Sequence, residues 1–108
     1  MSIKTRRRYL ALKIESTEKF EAKELLDALW GAILKLFGEY GASKTGLTLI
    51  DYDREKGLAI IRTAHTEVEK LRAAIASITE IIGKPVAVHV LMISGTLKAL
   101  SRKICAKH

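Results

Sequence analysis

Leu47-Thr48-Leu49-Ile50-Asp51-Tyr52, then Asp53-Arg54-Glu55-Lys56-Gly57, then Leu58-Ala59-Ile60-Ile61-Arg62-Thr63 reads as two strands and the loop between them. The outer runs are rich in β-branched and apolar residues, as a pleated, half-buried surface requires. The five polar residues ending in Gly57 suit a hairpin loop. Two antiparallel strands in mid-chain therefore anchor the reading of everything on either side.

Upstream, residues 8–14 alternate, with Leu10, Leu12 and Ile14 on one face and Tyr9, Ala11 and Lys13 on the other. That is a first strand. Between it and the hairpin, Leu25, Leu26, Leu29, Trp30, Ile33, Leu34 and Phe37 recur at helical spacing, predicting a helix over 21–37 with a broad apolar stripe. Gly38 is placed to end that helix in the left-handed conformation, and Gly41 loosens the loop after it. Downstream, Thr66 and Glu69 have the spacing of a capping box. Val68, Leu71, Ile75, Ile78 and Ile82 then follow at alternating steps of three and four, predicting a second helix that Gly83 stops. Pro85 leads into a last strand over 86–93. A short helix follows Ser94-Gly95-Thr96, with Leu97, Leu100 and Ile104 on one side.

The order βαββαβ, with short connections and right-handed crossovers, predicts an α+β ferredoxin-like sandwich. Four antiparallel strands in the order 4-1-3-2 carry two helices on one face, and the C-terminal helix is an addition. The chain reads as a single domain over residues 1–108, with a basic arm at 1–7 and a basic helix at 96–108. In this topology the start of strand 1, the start of strand 2 and the end of strand 4 share one end of the sheet.

That placement matters because of where the charge lies. The net charge is +7, from 19 Lys and Arg against 12 Asp and Glu. Residues 1–13 carry Lys4, Arg6, Arg7, Arg8 and Lys13, and residues 94–108 carry Lys98, Arg102, Lys103 and Lys107, with no acid in either stretch. The remaining ten basic residues face all twelve acids, so the middle of the chain is slightly acidic. A positive field raised at both ends of a near-neutral body fits a polyanionic partner.

The RNA recognition motif uses the same topology, but here its stacking positions on strand 3 hold Leu58, Ile60 and Thr63. Aliphatic side chains offer bases no π face, so only Tyr9 is a candidate platform and sequence-specific reading of single strands is not expected. An aliphatic open face needs a cover, either the C-terminal helix or a partner protein. No apolar run approaches the roughly 20 residues that cross a bilayer, so no membrane association is expected. Arg6-Arg7-Arg8 is followed by Lys13, Glu15 and Glu18 and so lacks the apolar run of an export signal. Cys105 is the only cysteine, which rules out an intrachain disulfide and a Cys-rich zinc site and favours a cytoplasmic location.

Catalytic signatures are missing. His65, His89 and His108 are scattered, and His89 reads as a partly buried structural residue of the last strand. There is no Gly-rich phosphate loop, no G-x-S-x-G and no H-E-x-x-H. Asp51 and Asp53 share a strand face but read as hairpin markers, and Cys105 lacks an obvious base. Acylphosphatase has this fold, yet Glu15-Ser16-Thr17-Glu18 stands where its phosphate loop would be and would repel phosphate. No catalytic residue and no metal ligand is expected on this chain.

Several segments, taken in order, resemble the archaeal ribonuclease P protein component 2 family. They are Arg8-Tyr9-Leu10 with Lys13-Ile14, Leu36-Phe37-Gly38-Glu39-Tyr40-Gly41, Tyr52-Asp53 followed by Gly57 and Ile61-Arg62, and Leu71-Arg72-Ala73-Ala74. The closing Val90-Leu91-Met92-Ile93-Ser94-Gly95-Thr96-Leu97-Lys98 is the most specific of them. The resemblance implies a subunit of ribonuclease P, the endonuclease that removes the 5′ leader from precursor tRNA. It implies that the RNA subunit performs the hydrolysis with its own bound magnesium, and that the protein itself holds no cofactor. The implied partners are ribonuclease P RNA, precursor tRNA through the holoenzyme, and protein component 3, a TIM-barrel subunit. Arg6, Arg7, Arg8, Lys44, Lys98, Arg102 and Lys103 are the candidate RNA-binding residues, neutralising phosphates where strands crowd together. The rival reading is a protein–protein or ligand-sensing regulatory module of the same fold, acting without RNA.

Overall fold

A computed structural model of the chain describes residues 7–95. Arg6, Lys98, Arg102, Lys103, Cys105, His108 and the expected C-terminal helix lie outside the described residues. Strand β1 (Arg7–Glu15) is followed by helix α1 (Ala22–Lys44), β2 (Thr48–Asp53) and β3 (Leu58–Ala64). A 3-10 turn (His65–Glu67) then leads into α2 (Val68–Ser77), β4 (Glu80–Ile81), β5 (Lys84–Pro85) and β6 (Ala87–Ser94).

The main sheet is antiparallel in the order β2-β3-β1-β6. Counting its four strands alone, that is the expected 4-1-3-2. The difference in detail is the separate β4–β5 ribbon, which precedes the last strand. Leu10, Leu12, Ile14, Ala59, Ile61 and Val88 point to the helix side and are buried there with Leu25, Leu29 and Ile33 of α1 and Leu71 and Ile75 of α2. Tyr9, Lys13, Ile60 and Arg62 share the opposite face by cross-strand register. Each outer pairing slips by one residue, at Ala11/Leu12 against β6 and between Leu49 and Asp51 against β3. Such bulges add local twist and re-aim side chains. The slip at Ile50 leaves Tyr52 on the helix side, where its hydroxyl donates to the Phe20 carbonyl at 2.6 Å.

Several expectations need correction. Thr63 is wholly buried and points to the helix side, so it is not an open-face position. The apolar stripe of α1 is narrower than expected, since Leu34 is exposed. Gly38 does leave helical geometry with φ +72, yet the chain winds back into helix over 39–44 rather than entering a loop. Gly41 lies in that added turn, where a Cβ would fall 2.7 Å from Phe37 Cβ. His89 is exposed beside Glu15 at 3.6 Å and not partly buried.

Helix α2 differs at both ends. Thr66 does not cap it: the helix opens at Val68 behind the 3-10 turn, without a side-chain cap. It ends at Ser77, and Ile78 is extended. The β-branched run Ile78, Thr79, Ile81, Ile82 favours extended backbone, and it folds back through a two-residue turn. Ile82 (φ +54) and Gly83 (φ +74) are both left-handed, as a tight primed hairpin turn demands. Ile78 and Ile81 still reach the core by this route.

Two left-handed positions should respond to substitution in opposite ways. At Gly57 (φ +68) a Cβ would fall 2.6 Å from the Ile14 carbonyl oxygen, beside the 2.7 Å bond from Ile14 N to Gly57 O. Gly57→Ala should therefore cost at least about 2 kcal/mol in urea unfolding. Ile82 is 62% exposed and strained by its branched Cβ. Ile82→Asn should stabilise the protein by about 1 kcal/mol in the same assay. A loss on Ile82→Asn would show that the isoleucine is held by packing rather than tolerated in spite of strain.

Candidate nucleic-acid interface

The C-terminus of α1, the starts of β1 and β2 and the end of β3 converge at one pole of the sheet. One residue ties them together. The buried Thr45 carbonyl accepts hydrogen bonds from Thr63 Oγ1 at 2.6 Å and from Ala64 N at 2.9 Å. Thr45 Oγ1 itself donates to the Ala42 carbonyl at 2.8 Å and accepts from Leu47 N at 3.3 Å. Threonine suits the place because one short hydroxyl can donate and accept while its methyl is buried. Gly46, with φ +59, then turns the chain into β2.

The knot holds Lys44, next to Thr45, near Arg62, next to Thr63. Both line a cavity of about 420 Å³ with Arg7, Trp30, Thr48 and the backbone of Gly46, and no acidic residue lines it. Arg7 pairs with Ala64, and Arg62 lies between Tyr9 and Thr48 in register, so the three cations come from three different elements. Lys44 Nζ also lies 4.6 Å from the centre of the Tyr40 ring, one turn back on α1. Hydrogen bonding with the Tyr40 side chain, more than the smaller effect of Glu67, raises the lysine above its ordinary pKa. Arg8 lies at the other side of the pole, so close to Gly95 that a Cβ there would sit 3.0 Å from Arg8 Nη1.

The opposite pole contrasts in charge balance. Its cavity of about 360 Å³ is lined by Lys13, Lys19, Arg54 and Lys56, but also by Glu15, Glu18 and Glu55. Lys19 pairs with Glu55, Arg54 with Glu21 at 2.9 Å, and Lys84 with Glu18 at 3.4 Å. Asp53 is a hairpin marker, as expected: its side chain accepts from Lys56 N at 3.1 Å and its carbonyl from Gly57 N at 2.8 Å. At the cationic pole, Arg7, Arg8 and Arg62 make no ion pair among the described residues. Glu67, the acid that acts on Lys44, is engaged by Lys70 at 3.2 Å.

Of the seven candidate residues, Arg7 and Lys44 thus share a cavity and Arg8 lies at the same pole; the other four are outside the described residues. Sequence reasoning missed Arg62 and Tyr40. Arg62 was counted within the near-neutral middle of the chain, although a lone cation in an otherwise apolar strand was visible. Tyr40, 75% exposed, is set by the turn of helix beyond Gly38, and its signal was the four-residue spacing to Lys44. Among the described residues, no three His, Cys, Asp or Glu side chains cluster as metal ligands would. No described helix is long and apolar enough to cross a membrane.

Comparison with known proteins gives this geometry a family. The chain is 32% identical over 107 residues to ribonuclease P protein component 2 of Thermococcus kodakarensis, covering 99% of this chain and 89% of that protein. It is 33% identical over 102 residues to the protein of the same name from Methanosarcina barkeri, covering 94% and 74%. A chain in the cryo-EM structure of yeast ribonuclease MRP superposes with a TM-score of 0.71, covering 99% of this chain and 94% of that one. At 17% identity, that last likeness shows the fold alone. A family model described as Rpp14/Pop5 matches residues 8–105. The chain therefore belongs to the Rpp14/Pop5 family, alongside the archaeal ribonuclease P protein component 2 proteins it resembles along nearly its whole length.

Proposed function

We propose that the chain is a protein subunit of a ribonuclease P and that it works by stabilising the folded RNA electrostatically. The relatives carry that name, and the observation that carries the mechanism is the uncompensated cationic pole. Arg7, Lys44 and Arg62 line a cavity that has no acidic residue in its lining, and Arg7, Arg8 and Arg62 make no ion pair among the described residues, while the pairs Lys19–Glu55, Arg54–Glu21 and Lys84–Glu18 neutralise the opposite pole. Unpaired cations held on a rigid frame are suited to phosphate oxygens, because each contact releases condensed counterions. Arg6, Lys98, Arg102 and Lys103 complete the set in this reading.

The division of labour in this reading is the one that the family resemblance implies. The protein supplies fixed positive charge where RNA strands crowd, and the RNA with its magnesium performs the hydrolysis that removes the 5′ leader from precursor tRNA. Protein component 3 is the proposed protein partner, and precursor tRNA meets this chain within the holoenzyme. The exposed Tyr40 ring adds a surface on which an unpaired base can stack.

The test is salt dependence. About six phosphate contacts give a log–log slope of affinity against salt of about −4 to −5. Replacing Arg6, Arg7 and Arg8 together by Ala should flatten that slope by about 2 to 3 and raise the magnesium concentration needed for cleavage by the reconstituted enzyme. An unchanged slope together with an unchanged magnesium requirement would refute the assignment.

A further inference from the structure

We propose that the cavity between Arg7, Lys44 and Arg62 is a built site for a single RNA phosphodiester, with the Arg62 guanidinium as its central ligand. The proposal rests on the RNA-binding reading and goes beyond it, because a general positive field needs no particular donor at any particular place.

Three observations support a built site. First, Arg62 Nε is buried and has no hydrogen-bond partner among the described residues. A buried charged donor left unpaired is costly and rare in folded proteins. Among the described residues Arg62 makes no ion pair either, and Tyr9 and Thr48 flank it across the register. A phosphate oxygen supplies the missing acceptor, and a guanidinium binds phosphate through two parallel N–H donors.

Second, the cavity has the size and lining for a nucleotide unit. Its volume of about 420 Å³ exceeds what one phosphate needs and leaves room for a ribose against Trp30. Its charged lining is entirely cationic, whereas the cavity at the other pole mixes both signs. Third, the cations are pre-positioned. Thr63 Oγ1 and Ala64 N converge on the Thr45 carbonyl, so the backbones that carry Arg62 and Lys44 are fixed to each other before any RNA arrives. Pre-organisation of this kind removes the ordering cost that loose surface lysines would carry.

A built site and a diffuse field differ in how they treat Arg62→Lys. The substitution keeps the charge but removes the fork. In affinity measurements with the full chain and ribonuclease P RNA, Arg62→Lys should weaken binding about tenfold and flatten the salt slope by about 0.7 to 0.9, the share of one phosphate. Arg62→Ala should behave much the same. If Arg62→Lys binds as wild type while Arg62→Ala does not, charge alone suffices and the site is refuted.

A second pair avoids changing the mid-sheet residue. Thr48→Glu puts an acid on the cavity rim and Thr17→Glu puts one on an exposed residue at the opposite pole, so both change net charge equally. A built site predicts about tenfold loss for the first and no more than about twofold for the second, with unchanged melting for both; equal losses overturn it. Free inorganic phosphate is the other source of the same chemistry. It should compete with RNA only at high concentration, and saturation of the cavity at low phosphate with no effect on RNA binding would overturn the assignment to RNA. Failure of wild-type protein to bind the RNA would instead remove the reading on which the proposal rests.

Discussion

The Thr45 carbonyl is the constraint on which the cationic pole depends. It accepts from the end of β3 twice, through Thr63 Oγ1 and Ala64 N, so one buried oxygen joins the C-terminus of α1 to the centre of the sheet. Carbonyls at the end of a helix have no partners within the helix. Here the Ala42 carbonyl takes the Thr45 hydroxyl and Thr45 takes β3, so the helix end is satisfied by the same bonds that fix its position. Gly38 makes this geometry reachable. Its left-handed φ breaks α1 and re-aims the last turn, which carries Tyr40 and Lys44 toward the start of β2.

Charge in this protein is sorted by pole rather than by element. β1 has Arg7 and Arg8 at its start and Lys13 and Glu15 at its end, and it runs from the uncompensated pole to the compensated one. Surface ion pairs such as Arg54–Glu21 contribute little to stability one at a time. Their larger effect here is to cancel the field at one end, so that what remains points from the other. A polyanion approaching from solution meets an oriented field.

Much of the fold was legible in the sequence because its signals were local and redundant. The alternation of Leu10, Leu12 and Ile14, the loop ending in Gly57 and the left-handed Gly38 each followed from one residue type meeting one backbone requirement. The end of α2 was not legible, because Ile78 and Ile82 satisfy helical spacing and strand preference equally well, and only the tertiary turn at Ile82-Gly83 decides between them. The site was half legible. Topology placed Arg7 and Lys44 at one pole, but Arg62 was hidden by bookkeeping along the chain: its charge is balanced in sequence by acids that lie elsewhere in space. Thr63 was misplaced for a related reason, since a pattern borrowed from aromatic-faced sheets put it on the wrong side of β3.

In the proposed role, the sheet face away from the helices and the cationic pole act together. A sheet that stacked bases would need rings at Leu58 and Ile60 and would read individual bases in unpaired strands. Here those positions are Leu and Ile, Tyr9 stands alone among them, and Arg62 lies in the same face at its cationic end. Such a surface is poorly suited to sequence and well suited to shape, because phosphates are identical along a strand and only their spacing distinguishes one RNA fold from another. Recognition of spacing requires donors whose mutual distances do not relax. In the proposed role the cations at this pole would meet that requirement, because they spring from the ends of α1, β1 and β3 and the polar groups beneath them are satisfied by one another.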